Sequence, residues 1–243
     1  INVVMAAFGG APSPEKVTLE SLGITNVPKY YALILAVSDY QHTGPKLPDL
    51  EMPTKDGERL ASLLMDKYTF DADAVTLLKN PTREDIINQF DQLAEKITEK
   101  DNLLIFYAGH GVYDKSKDFG YWLPSDAKIE SRSAWIANST VKDYIGAIKS
   151  KHTLLITDAC FGGSIFKTRS VSVSVLRFSE LYRSSSRKAI TSGNLTEVPD
   201  ESVFIKFLIK NLDEFEEVFF PASLLFNRMY EPILNNTTTI PQF

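Results

Sequence analysis

Three stretches of this chain, YALILAV (31–37), LLIFYA (103–108) and TLLITDA (153–159), are apolar along almost their whole length and not on alternate residues. A strand with one wet face alternates, so a strand that is apolar throughout must be covered on both faces. This confines the chain to a largely parallel sheet clothed by helices, because parallel strands need crossover connections and those connections supply the cover. The intervening sequence has the required periods. Helices are expected over 56–68, 82–99 and 140–149, then over 202–212 and 222–235, with further strand-like runs at 74–78 and 188–193. The helix from Thr82 is the clearest: Ile86, Ile87, Phe90, Leu93, Ala94 and Ile97 share one face, and Pro81 and Thr82 form its entry signal. The expected fold is α/β, a mostly parallel six-strand-type sheet flanked by helices on both faces. Residues 30–243 make the folded domain, and 1–29, rich in Ala, Gly, Pro and Ser, a leader or linker.

Composition narrows what such a domain can do. With 243 residues, 44% of them hydrophobic, one domain can bury a full core. A net charge of −5, with no Lys/Arg run longer than a dipeptide, argues against nucleic acid or an anionic membrane as the main partner. The one cysteine excludes an intrachain disulfide framework and a Cys-rich metal site. No run reaches the 18 or so apolar residues that span a bilayer. A soluble domain is expected, with the cytoplasm the favoured compartment and an exported form the alternative. The opening Ile marks the chain as a processed form or an excerpt.

Two of the apolar runs end abruptly at a Gly-flanked reactive side chain: LLIFYAGHG at His110, and LLITDACFGG at Cys160, 50 residues further on. In an open parallel sheet, ligands meet the carboxyl ends of the strands, so both groups are expected on one rim. Most lone cysteines are inert core thiols, but this one follows its strand and precedes Phe161-Gly162-Gly163, where the backbone turns out of the sheet. Of the other two histidines, His152 lies eight residues earlier on the same strand, about 26 Å away at ~3.3 Å per residue. His42 sits in the turn-forming loop YQHTGPKLPD. The dyad is therefore expected to be Cys160 as nucleophile and His110 as base and acid, suited to acyl transfer. The backbone N–H groups of Gly111 and Cys160 are the expected oxyanion donors. Neither AGHG nor CFGG has the glycine spacing of a phosphate-binding loop.

The segments YYALILAVSDY, DGERLASLL, LLIFYAGHG, GYWLPSDA, LLITDACFGG and SRKAITSGNLTEVPD resemble, in order, those of the caspase and metacaspase cysteine peptidases, and of their bacterial caspase-like branch in particular. A His-to-Cys spacing of about 50 residues is itself a known caspase feature, so that agreement is a pattern matched and not a derivation. The resemblance implies the same helix-covered sheet and a cysteine endopeptidase acting on protein or peptide substrates. Asp158 occupies the place where metacaspases carry the acid of a pocket for Arg or Lys, and residues two apart on a strand face the same side, so Asp158 and Cys160 should share the site. The resemblance also implies a second pocket acid before the first helix, with Asp56 the better fit and Asp49 the rival. It implies self-processing within 166–188, which holds Lys167, Arg169, Arg177, Arg183, Arg187 and Lys188, and a short closing strand beyond Phe243. The loop VYDKSKDFGYW balances two acids with two lysines, so no metal and no cofactor is expected. The competing expectation is a catalytically silent caspase-like scaffold.

Overall fold

The computed structural model describes residues 3–6, 28–159, 185–193, 200–215 and 219–243. Cys160 and all of 160–184 lie outside them. Along the chain come β1 (Val3–Ala6), β2 (Tyr30–Ala36), α1 (Pro53–Lys67), β3 (Val75–Lys79), α2 (Arg83–Lys96), β4 (Asn102–Ala108), β5 (Gly111–Asp114), β6 (Phe119–Trp122) and β7 (Ile136–Ala137). They are followed by α3 (Asn138–Ala147), β8 (His152–Asp158), β9 (Ser186–Thr191), α4 (Val203–Glu214), β10 (Phe219–Pro221) and α5 (Ala222–Asn236).

The central sheet has the order β3-β2-β4-β8-β9, with every neighbouring pair parallel. The three uniformly apolar runs are its three inner strands, and every residue of β2, β4 and β8 is buried. Alternate residues of β4 serve two cores. Leu104 and Phe106 pack with α1, α4 and α5, while Leu103, Ile105 and Tyr107 pack with α2 and α3. Each fully buried side chain of this size contributes about 1.5–3 kcal/mol, so two facing cores hold the sheet between its helix layers. Helix α2 starts as its sequence requires. The Thr82 hydroxyl accepts the Asp85 N–H, and the Asp85 carboxylate accepts the Thr82 N–H, a reciprocal capping box that also holds the Asp85 carboxyl below its ordinary range.

Five strands, not six, form this sheet among the described residues. The Thr191 and Gln242 backbones exchange hydrogen bonds of 2.9 and 3.0 Å as a single antiparallel bridge on the outer edge of β9. Strand β9 begins at Ser186, two residues before the expected run, so Arg187 and Lys188 belong to it. Arg187 tolerates that place because its guanidinium donates to the Ile145 and Ile148 carbonyls at the end of α3. The antiparallel sheet β5-β6-β7 was not expected at all, nor was the β1–β10 pair, whose β1 lies within the stretch read as a leader.

Chain order and strand order together place a switch point. From β2 the chain passes by α1 to β3 on one side, then by α2 across to β4 on the other. The loops leaving β2 and β4 thus set out from neighbouring strand ends at the level where ligands meet such sheets. They are tied to each other there by the Val37 N–H donating to the Ala108 carbonyl, and the Gln41 N–H donates to the Ser125 carbonyl.

Candidate active site

Strands β2, β4 and β8 end in register, Ala36 opposite Ala108 and Ala108 opposite Asp158. The β4–β8 pairing keeps a constant offset of 50 residues from Asn102 opposite His152 onward. His110 thus follows the end of β4 by two residues, as Cys160 follows the end of β8 by two in sequence. His152 is at the far end of its strand, buried beside Ser186 at 2.7 Å, and His42 is exposed in its turn.

The bend that delivers His110 depends on Gly109. Its φ is +153°, and a Cβ there would stand 3.1 Å from the Tyr40 hydroxyl and the Val37 Cβ and 3.2 Å from the Tyr107 hydroxyl. Beyond it, the His110 N–H donates to the Tyr40 hydroxyl at 2.7 Å, and the Tyr107 hydroxyl donates to the His110 carbonyl at 2.7 Å. The imidazole Nε2 lies 2.8 Å from the Pro48 carbonyl. A carbonyl only accepts, so Nε2 carries a proton, and in the neutral imidazole Nδ1 is the nitrogen with the lone pair. Neither Tyr40 nor Pro48 is visible as a site residue in the sequence, because both belong to an aperiodic loop whose partner lies more than 60 residues on.

Gly111 opens β5 opposite Trp122, and the Leu123 N–H donates to the His110 carbonyl at 3.1 Å. In antiparallel register this makes Gly111–Trp122 a pair that exchanges no hydrogen bonds, so the Gly111 N–H is directed away from β6.

Asp158 ends β8 on the face that carries α1 and α4 and is only 7% exposed. Burial pushes its carboxyl up to about 6, the Ser192 and Ser202 hydroxyls pull it partly back, and the Asp56 charge raises it further. Its Oδ1 has no hydrogen-bond partner among the described residues. Asp56 lies in the first turn of α1, also buried, and burial raises its carboxyl too; Arg59, 3.5 Å away, acts against this and Asp200 adds to it. Helix α1 comes close enough to place Asp56 this deep because its next residue is glycine: a Cβ on Gly57 would be 3.0 Å from the Ala36 Cβ.

Of the two candidates for the second acid, the structure brings Asp56 to Asp158 and sends Asp49 elsewhere, to accept the Tyr40 N–H at 2.8 Å. Asp200, a residue the sequence did not single out, accepts the Glu51 and Met52 N–H groups at 2.8 and 3.1 Å and so ties the entry of α4 to that of α1. Among the described residues no group of three or more His, Cys, Asp or Glu could hold a metal ion, and no helix is long and apolar enough to cross a membrane.

A parallel sheet between helix layers, with a histidine held at a strand end, a buried acid at the end of the neighbouring strand and a second at the start of the first helix, defines a caspase-type α/β domain. Residues 29–237 match the family model described as Peptidase_C14, the caspase domain, and the chain belongs to that family of cysteine peptidases. It is similar to the crystal structure of protein GSU0716 from Geobacter sulfurreducens, with a TM-score of 0.58 and 16% identity over 89% of this chain and 92% of that chain. At that identity the likeness speaks for the fold alone. No curated protein matches the chain.

Proposed function

We propose that the chain is a cysteine endopeptidase that cleaves after Arg or Lys, with Cys160 as nucleophile and His110 as general base and acid. The observation that carries this reading is the common end level of β4 and β8, from which each residue departs two positions later. Neighbouring strands are about 4.8 Å apart, a separation that a Cys and a His side chain can bridge. Nδ1 of His110, the nitrogen left with the lone pair, takes the thiol proton. The thiolate adds to the scissile carbonyl carbon, and the Gly111 and Cys160 N–H groups stabilise the resulting oxyanion. The imidazolium then gives its proton to the leaving amine as the C–N bond breaks. Water, deprotonated by the same imidazole, hydrolyses the thioester and regenerates the thiol.

The preference for a basic residue rests on Asp158 and Asp56. They are two buried carboxylates; the Asp56 charge raises the Asp158 carboxyl, and Arg59 stands beside Asp56 but no cation acts on Asp158 among the described residues. A guanidinium or ammonium entering between them would relieve that repulsion. Self-processing remains part of the proposal with a narrower set of sites. Arg187 and Lys188 lie in β9 and are poor candidates, whereas Lys167, Arg169, Arg177 and Arg183 lie outside the described residues.

Fluorogenic tetrapeptides ending in Arg, Lys or Asp, offered to the native chain and to Cys160→Ala, test the reading. Turnover of the basic peptides that disappears in the variant supports it. Turnover of the Asp peptide would overturn the pocket, and no turnover of any peptide, even after limited proteolysis of 166–188, would favour the silent scaffold.

A further inference from the structure

The loop that leaves β2 touches His110 at three separate points, which is more than a passing connection requires. Tyr40 is 4% exposed; its hydroxyl takes the His110 N–H at 2.7 Å, and its ring lies against the imidazole with centroids 5.1 Å apart and planes at 44°. Further along the same loop the Pro48 carbonyl takes the Nε2 proton. The two arms are locked together by Asp49, whose carboxylate accepts the Tyr40 N–H. The loop is anchored in turn by Asn80, held at φ +52° just past β3, whose Oδ1 accepts both the Ser38 and Asp39 N–H groups at 2.8 and 3.0 Å. Its own N–H donates to the Ala36 carbonyl at the end of β2.

We propose that Tyr40 is the positioning residue of His110, fixing the Gly109–His110 peptide so that the imidazole meets Pro48 through Nε2 and turns Nδ1 to the nucleophile. The inference rests on the reading of His110 as the catalytic base. The His110 N–H falls between the end of β4 and the start of β5, so the strand ladders do not hold it. It depends on a side chain supplied from 70 residues earlier. Without the phenol oxygen that half-buried donor loses its acceptor and the peptide can rotate, carrying the imidazole off its alignment.

Tyr40→Phe keeps the ring and removes the acceptor. The expected result is a fall in kcat of about ten- to a hundredfold on a peptide ending in Arg, with KM changed less than about threefold, since a small misplacement of a catalytic group costs rate and leaves binding. A second readout needs no turnover. In a Cys160→Ala background, nitrogen NMR of the imidazole at pH 8 should show one neutral tautomer with the proton on Nε2, and adding Tyr40→Phe should give a mixture. If Tyr40→Phe does not fold, Asp49→Ala, which unties Tyr40 from Pro48 but leaves the phenol, must produce the same mixing. An unchanged kcat together with a single unchanged tautomer in either variant would overturn the proposal. A native chain that turns over nothing, yet loses its single tautomer on Tyr40→Phe, would sink the peptidase reading and leave the positioning role standing.

Discussion

Around His110 the backbone N–H, the carbonyl and Nε2 each have a partner within 2.8 Å, all of them neutral oxygens supplied by two tyrosines and a proline carbonyl. Around Asp158, on the neighbouring strand, a buried carboxylate keeps one oxygen without a partner among the described residues and feels the charge of a second buried carboxylate, Asp56. The first region is satisfied in the free protein and has nothing to gain by moving. The second, on the proposed reading, holds an acid that a substrate cation would relieve, since Arg59 stands beside Asp56 and not beside Asp158. On the proposed reading the contrast separates two duties of one rim, precise placement of a proton acceptor and affinity for charge. The two should therefore fail differently when perturbed.

The largest expected effect breaks the pocket alone. Asp158→Asn should lower kcat/KM on Arg peptides by roughly a thousandfold while the His110 tautomer stays fixed, because truncating one partner of a buried charge pair costs about 2–5 kcal/mol. A loss below about tenfold would show that Asp158 does not meet the substrate.

The next breaks the opposite side. Gly109→Ala puts a side chain into a conformation reserved for glycine and against two tyrosine hydroxyls. It should cost about 1–3 kcal/mol of stability by denaturant unfolding and lower kcat more than it changes KM. Equal stability of the variant and the native chain would mean that the bend is not under constraint.

A third sharpens the contrast through pH. Asp158 titrates near 6 in the folded chain and near 3.8 when unfolded. Below the lower value both states are protonated and the group contributes nothing. As pH rises from there through 6, the unfolded chain ionises first, so stability falls by up to about 3 kcal/mol. Asp158→Asn should therefore raise the Tm at pH 8 and leave it unchanged at pH 4, with substrate affinity moving the other way. For the native chain, KM on Arg peptides should rise about tenfold between pH 7 and pH 5 as the carboxyl takes up its proton. A KM independent of pH over that range would remove Asp158 from the pocket. The smallest effect is expected for Asp200→Ala, which unties the α1 and α4 entries: about 1 kcal/mol of stability and a few-fold rise in KM, with kcat unaltered.

What could be read from the residues follows from the range over which each feature is determined. The inner strands were legible because burial on both faces writes itself into every residue of β2, β4 and β8. Helix α2 was legible because its cap is encoded three residues apart. The sheet β5-β6-β7 was not, since its strands are two to four residues long and only half buried, too short for a period to declare itself. Strand β9 started earlier than expected because the exception, a cation in a strand, is excused by helix carbonyls more than 35 residues away in sequence. The same distance dependence hid Tyr40, Pro48 and Asp200, whose partners lie 62 to 149 residues off. His110 could be singled out because its strand end is punctuated by glycines in the sequence itself, whereas Asp158 was pointed to by the family resemblance.

The pocket acids also share a setting. Asp56 lies in the first turn of α1, and Asp158 meets the Ser202 hydroxyl that caps α4, so two helix amino termini converge on one small volume. Peptide dipoles aimed this way attract negative charge and repel positive charge. By themselves the two helix ends would favour an anion, and on the proposed reading the two carboxylates reverse that sign. On the proposed reading, preference for a basic residue is then a matter of two side chains laid over that backbone.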